Sequence, residues 1–254
     1  MSLEAVFLDA GGVLVNPSWT RVSEALARRG VRAEPARLEA AEPRAKRDLD
    51  TAERIRTTDD RSRGWDYFNL VLRHAGIPLS EATDEALAEL HDYHRRHNLW
   101  ESVPAEVPAS LAALKRLGLR LVVVSNSNGT LRAKLERLGL ASAFDLVMDS
   151  FELGVEKPDP AIFALALARL GVGPASVLHV GDFFHVDVVG ARAAGLHAWL
   201  IDAGGLYADL DCPRFATLTA VVEAVRELSS PATAPSVTPP GPWPPSPDRP
   251  PRPR

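Results

Sequence analysis

The chain has 254 residues, of which 46% are hydrophobic, so it can bury a sizeable core in one or two domains. Its formal net charge of −4 argues against a nucleic-acid-binding surface, and its single cysteine argues against a disulfide framework or a cysteine-based zinc site. We see no signal peptide, and no apolar run approaches the roughly 18 residues of a membrane helix. We therefore expect a cytoplasmic, soluble protein that binds neither nucleic acid nor membranes.

The first element is a short apolar run at residues 6–8 that ends at Asp9 and is followed by Gly11 and Gly12. This pattern predicts a buried strand that ends in a tight turn. Open parallel sheets bind ligands at the carboxyl ends of their strands, where a carboxylate can be a nucleophile or a metal ligand. Alternatively, Asp9 serves only the turn, which is a frequent use of Asp.

Residues 16–100 are charged and have the composition of good helix formers, with apolar positions near helical spacing. We predict helices around 22–30, over 34–55, from about 65 to 76 and over 81–98, with glycine or proline ending the first and third. We therefore predict that residues 16–100 form an all-helical domain inserted into the rest of the chain.

From residue 101 onward, strands alternate with helices. We predict strands at 121–124, 144–148, 177–180 and 198–201, with amphipathic or apolar helices between and after them. Such alternation predicts a doubly wound parallel sheet, Rossmann-like in type, that is covered by helices on both faces. Residues 1–15 and 101–229 would form this α/β core.

Residues 230–254 are dominated by Pro, Ser, Thr and Arg. A segment of this composition buries too little apolar surface to order itself, so we predict a disordered Pro-rich tail. It is alternatively a polyproline ligand for a protein partner that the sequence does not identify.

Polar residues follow the ends of the predicted strands: Ser125 and Asp182 join Asp9, and a loop carries Lys157. A phosphate ester that reacts at such an edge needs a nucleophile, a cation and hydrogen-bond donors. Asp9 and Asp182 can chelate Mg²⁺, which prefers oxygen ligands. Ser125 and the backbone amides around Asn126 can bind phosphate oxygens, and Lys157 can balance their charge.

The order and spacing of these segments resembles the haloacid dehalogenase superfamily of hydrolases, over roughly residues 3 to 203. The resemblance implies that the helical insertion at 16–100 is a C1-type cap, which closes over the site and selects the substrate. The matching segments are Asp9-Ala10-Gly11-Gly12-Val13-Leu14, Val124-Ser125-Asn126, Lys157-Pro158-Asp159-Pro160, and Gly181-Asp182 with Asp187 following.

The resemblance also implies roles for these residues. Asp9 would be the covalent nucleophile, and Ser125 and Lys157 would orient the phosphate, with Gly12 and Asn126 also binding substrate. The metal site for Mg²⁺ would consist of Asp9, the backbone carbonyl of Gly11, Asp182 and Asp187. The implied activity is hydrolysis of a small phosphorylated metabolite through an aspartyl-phosphate.

One position departs from the family pattern. Family phosphatases usually carry a second Asp two residues after the nucleophile, as general acid and base, and Gly11 stands there. General acid–base catalysis contributes about 10²–10⁴-fold, so we expect a slow phosphatase or one that needs an acidic leaving group. Asn16, Asn128 and His185 lie in nearby loops. Only His185 titrates near neutral pH, and it is either a replacement acid or a surface histidine.

Two other functions stay open. A metal-free 2-haloacid dehalogenase needs no general acid, because halide leaves unprotonated, but such enzymes lack the motif present here at Gly181-Asp182. A non-catalytic or regulatory binding protein on the same fold agrees with Gly11 and the Pro-rich tail. The presence of Asp9 and Lys157 argues against that function. Metal-dependent turnover would distinguish the phosphatase from these two alternatives.

The helical insertion contains further polar and aromatic candidates. His91, His94 and His97 are three residues apart, and since each step rotates by about −60°, the first and last diverge by about 120°. We therefore expect a solvated helix face rather than a metal site. Trp65 and Tyr93 are expected in the core of the cap or at its pocket. Four arginines are expected either at the surface or near an anionic substrate: Arg54, Arg56, Arg61 and Arg63.

Overall fold

The computed structural model describes residues 3–229, apart from the side chains at positions 60, 61, 65 and 229. The predicted tail at 230–254 lies outside the described residues, as do the side chains of Arg61 and Trp65. Within 3–229 the strands are β1 (Ala5–Leu8), β2 (Asn16–Pro17), β3 (Trp100–Ser102), β4 (Arg120–Ser125), β5 (Leu146–Asp149), β6 (Val177–Gly181), β7 (His197–Ile201) and β8 (Arg214–Phe215).

The helices flank these strands, and none of those in the described part of the chain combines the length and apolar character needed to span a bilayer. They are α1 (Trp19–Ala27), α2 (Pro35–Leu49), α3 (Ala52–Thr57), α4 (Asp60–His74), α5 (Glu81–His97), α6 (Val107–Arg116), α7 (Leu131–Arg137), α8 (Ser150–Leu153), α9 (Pro160–Leu170), α10 (Val189–Ala193) and α11 (Leu218–Ser229).

The predicted doubly wound parallel sheet is confirmed. Six strands pair in parallel in the order β5-β4-β1-β6-β7-β8, so β1 lies between β4 and β6. Side chains alternate between the faces of a strand. Val6 and Leu8 belong to a hydrophobic cluster with residues of α6 and α11, whereas Phe7 belongs to a second cluster with residues of α9 and α10. Helices therefore cover both faces, and the polar strand ends lie together at one edge.

The segment between β1 and α6 holds helices α1–α5, and the apolar faces of α1, α2, α4 and α5 form a third hydrophobic cluster. Strands β2 and β3 pair antiparallel at the two ends of this segment. The sequence pattern does not indicate them, because strands of two or three residues are too short to show alternation.

Two predicted elements differ in their boundaries. The helix predicted over 34–55 is interrupted after Leu49, because Asp50 leaves the helical conformation and Thr51 caps α3 by accepting the Arg54 N–H at 3.3 Å. The strand predicted at 144–148 begins at Leu146, since residues 141–143 form a 3₁₀ turn before it.

Candidate active site

The sheet brings three of the predicted site residues together. Asp9 follows β1, Ser125 ends β4, and Asp182 follows β6, and these three strands are direct neighbours. The carboxyl ends of parallel strands meet at one edge of the sheet, which is where open α/β folds bind ligands. All three side chains are buried, and all three line a cavity of about 680 Å³.

Lys157 lies at the centre of this edge. Its Nζ is 2.8 Å from Asp9 Oδ1 and 2.6 Å from Asp187 Oδ1, and its side chain is 1% exposed. Burial alone would lower the pKa of Lys157, but Asp187 and Asp9 raise it above its ordinary value. The ammonium is therefore a fixed positive charge between the two carboxylates.

The Asn126 side chain holds the Lys157 loop in place. Its Oδ1 accepts the backbone N–H of Lys157 at 2.8 Å, and its Nδ2 donates to the Lys157 carbonyl at 2.9 Å. The sequence placed Asn126 among the phosphate-binding residues through nearby backbone amides. Its side chain instead positions the lysine, a role that needs a contact between residues 31 positions apart and has no local signal.

Asp187 fixes the loop that follows β6. Its Oδ2 accepts the backbone N–H groups of Asp182 and Phe183, and its Oδ1 lies 3.0 Å from His179 Nε2. Burial would raise the pKa of Asp187, but Lys157 and His179 hold it well below its ordinary value. This carboxylate is therefore ionised, and it contacts both the loop backbone and the Lys157 ammonium.

The carboxylate of Asp182 contacts a residue of the helical insertion that sequence reasoning missed. Lys46 Nζ, on α2, lies 2.7 Å from Asp182 Oδ2 and 2.9 Å from Glu42 Oε1. Tyr67 donates its hydroxyl proton to the same Glu42 oxygen at 2.6 Å. Glu42 and Lys46 are four residues apart, which is an ordinary surface pair on a helix and so gave no signal.

A second buried contact joins α2 to the same loop. Asp50, which is 0% exposed, accepts the backbone N–H groups of Phe184 and His185. The His185 Nδ1 also lies 3.0 Å from Asp50 Oδ1. His185 is not among the residues that line the Asp9 cavity, so it is not placed as a replacement acid.

Glycines allow the close approach of these acids. Gly12 has a φ of +68°, and a Cβ there would lie 1.9 Å from Asp182 Oδ2. A Cβ on Gly181 would lie 2.0 Å from Asp187 Cγ. Gly12 lines a neighbouring cavity of about 350 Å³ rather than the one that holds Asp9.

The space beside Gly11 is occupied by an aromatic ring. A Cβ at Gly11 would lie 3.3 Å from Trp100 Cδ1 and 3.4 Å from Trp100 Nε1, tighter than ordinary contact. Trp100 packs against Tyr67 and Phe68, with ring centroids 5.6 and 5.7 Å away. An indole therefore packs close to position 11, where the family resemblance would place a second Asp, and the sequence gave no indication of this contact.

The helical insertion also lines the Asp9 cavity with histidines. His91 and His94 both face it, so the expected solvated face is wrong for these two, whereas His97 is exposed. Burial, together with Lys134 and His91, lowers the pKa of His94 to about 4, so its ring is neutral at pH 7. Its Nδ1 accepts the backbone N–H of Leu99 at 3.2 Å.

The remaining candidates are distributed as follows. Arg63 is 6% exposed, lines the cavity and donates to the Thr58 carbonyl at 2.7 Å, whereas Arg54 and Arg56 are exposed. Tyr93 packs at the margin of the helical hydrophobic cluster. The two asparagines lie in different cavities. Asn128 lines the Asp9 cavity, and Asn16 lines the neighbouring one.

The acidic residues fit a divalent cation. Asp9, Asp182 and Asp187 each offer a carboxylate oxygen, and these oxygens lie within 4.8 Å of one another. No other set of three or more His, Cys, Asp or Glu side chains in the described part of the chain meets that spacing. Carboxylate oxygens are hard ligands that suit Mg²⁺. Lys46 and such a cation would both be attracted to Asp182.

We expect the Lys46→Met variant to bind Mg²⁺ about tenfold or more tightly than the unaltered protein, because a positive charge 2.7 Å from Asp182 Oδ2 is removed. Titration calorimetry with MgCl₂ measures the change. Lys115→Met is the matched control, since Lys115 is an exposed residue that pairs with Asp145 away from this cavity. Unchanged or weaker Mg²⁺ binding by Lys46→Met would contradict the competition.

The chain is similar in sequence to known hydrolases. Residues 3–195 match the haloacid dehalogenase-like hydrolase family. Haloacid dehalogenase-like hydrolase domain-containing protein 3 of Mus musculus is 36% identical over 142 residues, which cover 55% of this chain and 56% of that protein. Phosphoserine phosphatase of Thermus thermophilus is 40% identical over 138 residues, which cover 54% of this chain and 53% of that protein. These matches span about half the length of the relatives.

A solved structure extends the likeness over most of the fold. The 2-haloacid dehalogenase from Pseudomonas syringae pv. Tomato DC3000 is 26% identical, with a TM-score of 0.56 over 89% of this chain and 99% of that chain. The resemblance noted in the sequence is confirmed, because the family match takes in well over half of the residues. The chain therefore belongs to the haloacid dehalogenase-like hydrolase family.

Proposed function

We propose that this protein is a Mg²⁺-dependent phosphatase that cleaves small phosphate monoesters through an aspartyl-phosphate on Asp9. The observation that carries the proposal is the buried charge centre, in which Lys157 Nζ lies 2.8 Å from Asp9 Oδ1 among three convergent carboxylates. A nucleophilic carboxylate, a fixed cation and oxygen ligands for a metal are the groups that phosphoryl transfer needs. The phosphoserine phosphatase relative points in the same direction.

In the proposed first step, Asp9 Oδ2 attacks phosphorus, an O–P bond forms, and the bond to the leaving oxygen breaks with its electron pair. Lys157 holds Asp9 Oδ1 in an ion pair, and the Ser125 hydroxyl donates to a phosphate oxygen. Mg²⁺ held by Asp9, Asp182, Asp187 and the Gly11 carbonyl would supply charge stabilisation on the transferring phosphate. Water then attacks the aspartyl-phosphate, releasing phosphate and restoring Asp9.

The leaving oxygen does not have the family's second carboxylic acid beside it in this arrangement, because Gly11 stands at that position and packs near Trp100. Its proton then comes from solvent, and the loss of a general acid costs about 10²–10⁴-fold. This favours leaving groups that depart without protonation. The same feature favours the second candidate, a 2-haloacid dehalogenase in which Asp9 would displace halide. The fold resembles the solved structure of a 2-haloacid dehalogenase.

We expect Mg²⁺-dependent release of p-nitrophenol from p-nitrophenyl phosphate, and removal of the metal with EDTA should lower the rate about 10²-fold or more. Restoring excess MgCl₂ should restore the rate. Halide release from 2-chloropropionate, measured with and without EDTA, is the parallel assay. Halide release without phosphatase activity would replace the proposal with the dehalogenase function. The absence of both activities would favour a non-catalytic or regulatory role on this fold.

A further inference from the structure

One lysine in the Asp9 cavity has no carboxylate within ion-pair distance in the described part of the chain. Lys134 lies on α7, the helix that follows β4 and Ser125, and it lines the same cavity as Asp9. Its side chain is only 3% exposed. Among the residues that the structure describes, its ammonium makes no hydrogen bond and no ion pair within 4.0 Å.

The other lysines show how unusual this is. The sequence has four lysines, and the two others that line the Asp9 cavity, Lys46 and Lys157, each contact two carboxylates. Lys115 is exposed and is paired with Asp145. Buried lysines are rare unless paired, because an unpaired buried charge costs several kcal/mol. The Lys134 ammonium can therefore contact an anionic group that enters the cavity.

The carboxylates near Lys134 are already engaged. Asp149 accepts the backbone N–H groups of Gly129, Leu131 and Phe151 at 3.0–3.3 Å. Asp9 is ion-paired with Lys157. Burial lowers the pKa of Lys134 to about 8, against the opposing influence of Asp9 and Asp149, so the ammonium is mainly charged at pH 7.

Neutral polar side chains line the same cavity. His94 is uncharged at pH 7, and since its Nδ1 accepts the Leu99 N–H, its proton is on Nε2, which is then a donor. Asn98 also lines this cavity and is 4% exposed. A charged ammonium beside neutral polar groups suits an anionic oxygen group better than a neutral or cationic one.

We propose that Lys134 binds a second anionic group on the molecule whose phosphate reacts at Asp9, so that the substrates are phosphate monoesters that also carry a carboxylate or another phosphate. This inference rests on the proposed function, because it takes Asp9 as the phosphate end of the cavity. It assigns Lys134 to substrate specificity and leaves the bond-breaking steps to Asp9, Ser125 and Lys157.

Non-hydrolysable probes test this proposal on the full-length protein without any turnover. The probes are phosphonoacetate, 3-phosphonopropionate and 4-phosphonobutyrate, each paired with the alkylphosphonate of the same chain length and measured by titration calorimetry in MgCl₂. We expect at least one carboxylate probe to bind about tenfold or more tightly than its alkyl partner. Lys134→Met should remove this margin without weakening the alkyl partner, whereas Lys134→Arg should keep most of it and Lys115→Met all of it.

The outcomes separate the two proposals. If the alkylphosphonates themselves do not bind, the phosphate site at Asp9 is wrong and the proposed function fails. If they bind but no carboxylate probe binds more tightly, Lys134 does not select a second anion and this inference is overturned. A margin that persists in Lys134→Met, or an equal loss for both members of a pair in that variant, would also overturn it. The comparison within the unaltered protein decides the question even where a Lys134 variant folds poorly.

Discussion

Asp9→Asn should lower kcat/KM for p-nitrophenyl phosphate by about 10⁴-fold or more, because an amide cannot attack phosphorus to form the covalent intermediate. The substitution keeps the size and shape of the side chain. Lys157 retains its contact with Asp187 at 2.6 Å in this variant, so the charge centre keeps one of its two ion pairs. The rate is measured by p-nitrophenol release at saturating Mg²⁺.

The control for Asp9→Asn is Asp145→Asn, the same chemical change at a surface residue that pairs with Lys115 at 3.0 Å. An exposed ion pair contributes about 0–1 kcal/mol to stability. The Asn amide oxygen can still accept the Leu121 N–H that Asp145 Oδ2 accepts at 2.7 Å, so this variant should keep its full rate. Turnover by Asp9→Asn at the rate of the unaltered protein would show that hydrolysis does not pass through an aspartyl-phosphate at this position. The nucleophile would then have to be sought elsewhere in the cavity.

The second large effect is expected for Lys157→Met, which should lower the free energy of unfolding by about 3–5 kcal/mol and abolish turnover. The lysine is 1% exposed and lies between Asp9 and Asp187, so its removal leaves two buried carboxylates without their shared cation. Urea unfolding, followed by far-UV circular dichroism in EDTA, measures the change without contribution from bound metal.

Two further variants show whether the loss comes from uncompensated charge. Lys157→Met combined with Asp187→Asn removes one of the two stranded charges, and it should recover part of the lost stability without recovering activity. Lys115→Met, which breaks only an exposed pair, should change stability by about 1 kcal/mol or less. A loss below about 1 kcal/mol in Lys157→Met itself would mean that Lys157 is not needed to offset the buried carboxylates.

Much of the core and of the charge centre was predictable from the sequence, since both depend on local signals. Apolar runs that end in a carboxylate or a glycine mark strand ends, and the alternation of strands with helices places those ends on one edge. Asp9, Ser125 and Asp182 follow from this reasoning alone. Lys157 was predicted from its position in a neighbouring loop, whereas Asp187 needed the family resemblance, because it does not directly end a strand.

The contribution of the helical insertion was not predictable in the same way. Periodicity indicates that a helix has an apolar face, but it does not show which polar residue points toward a distant loop. Lys46 and Trp100 lie far in sequence from the residues they contact, so their positions depend on how α2 and β3 pack against the core. Lys134 has a similar explanation: at residue 134 of an amphipathic helix, an inward-facing lysine is the less expected orientation.

The contacts from α2 to the loop after β6 have a consequence for how molecules enter and leave. Lys46 and the C-terminal cap residue Asp50 connect α2 to that loop, through an ion pair and two backbone hydrogen bonds. An outward movement of α2 must break all of these contacts together, so they hold α2 against the core. Because one of these contacts is made to Asp182, a cation that binds this carboxylate in place of Lys46 would also weaken the attachment of α2 to the loop.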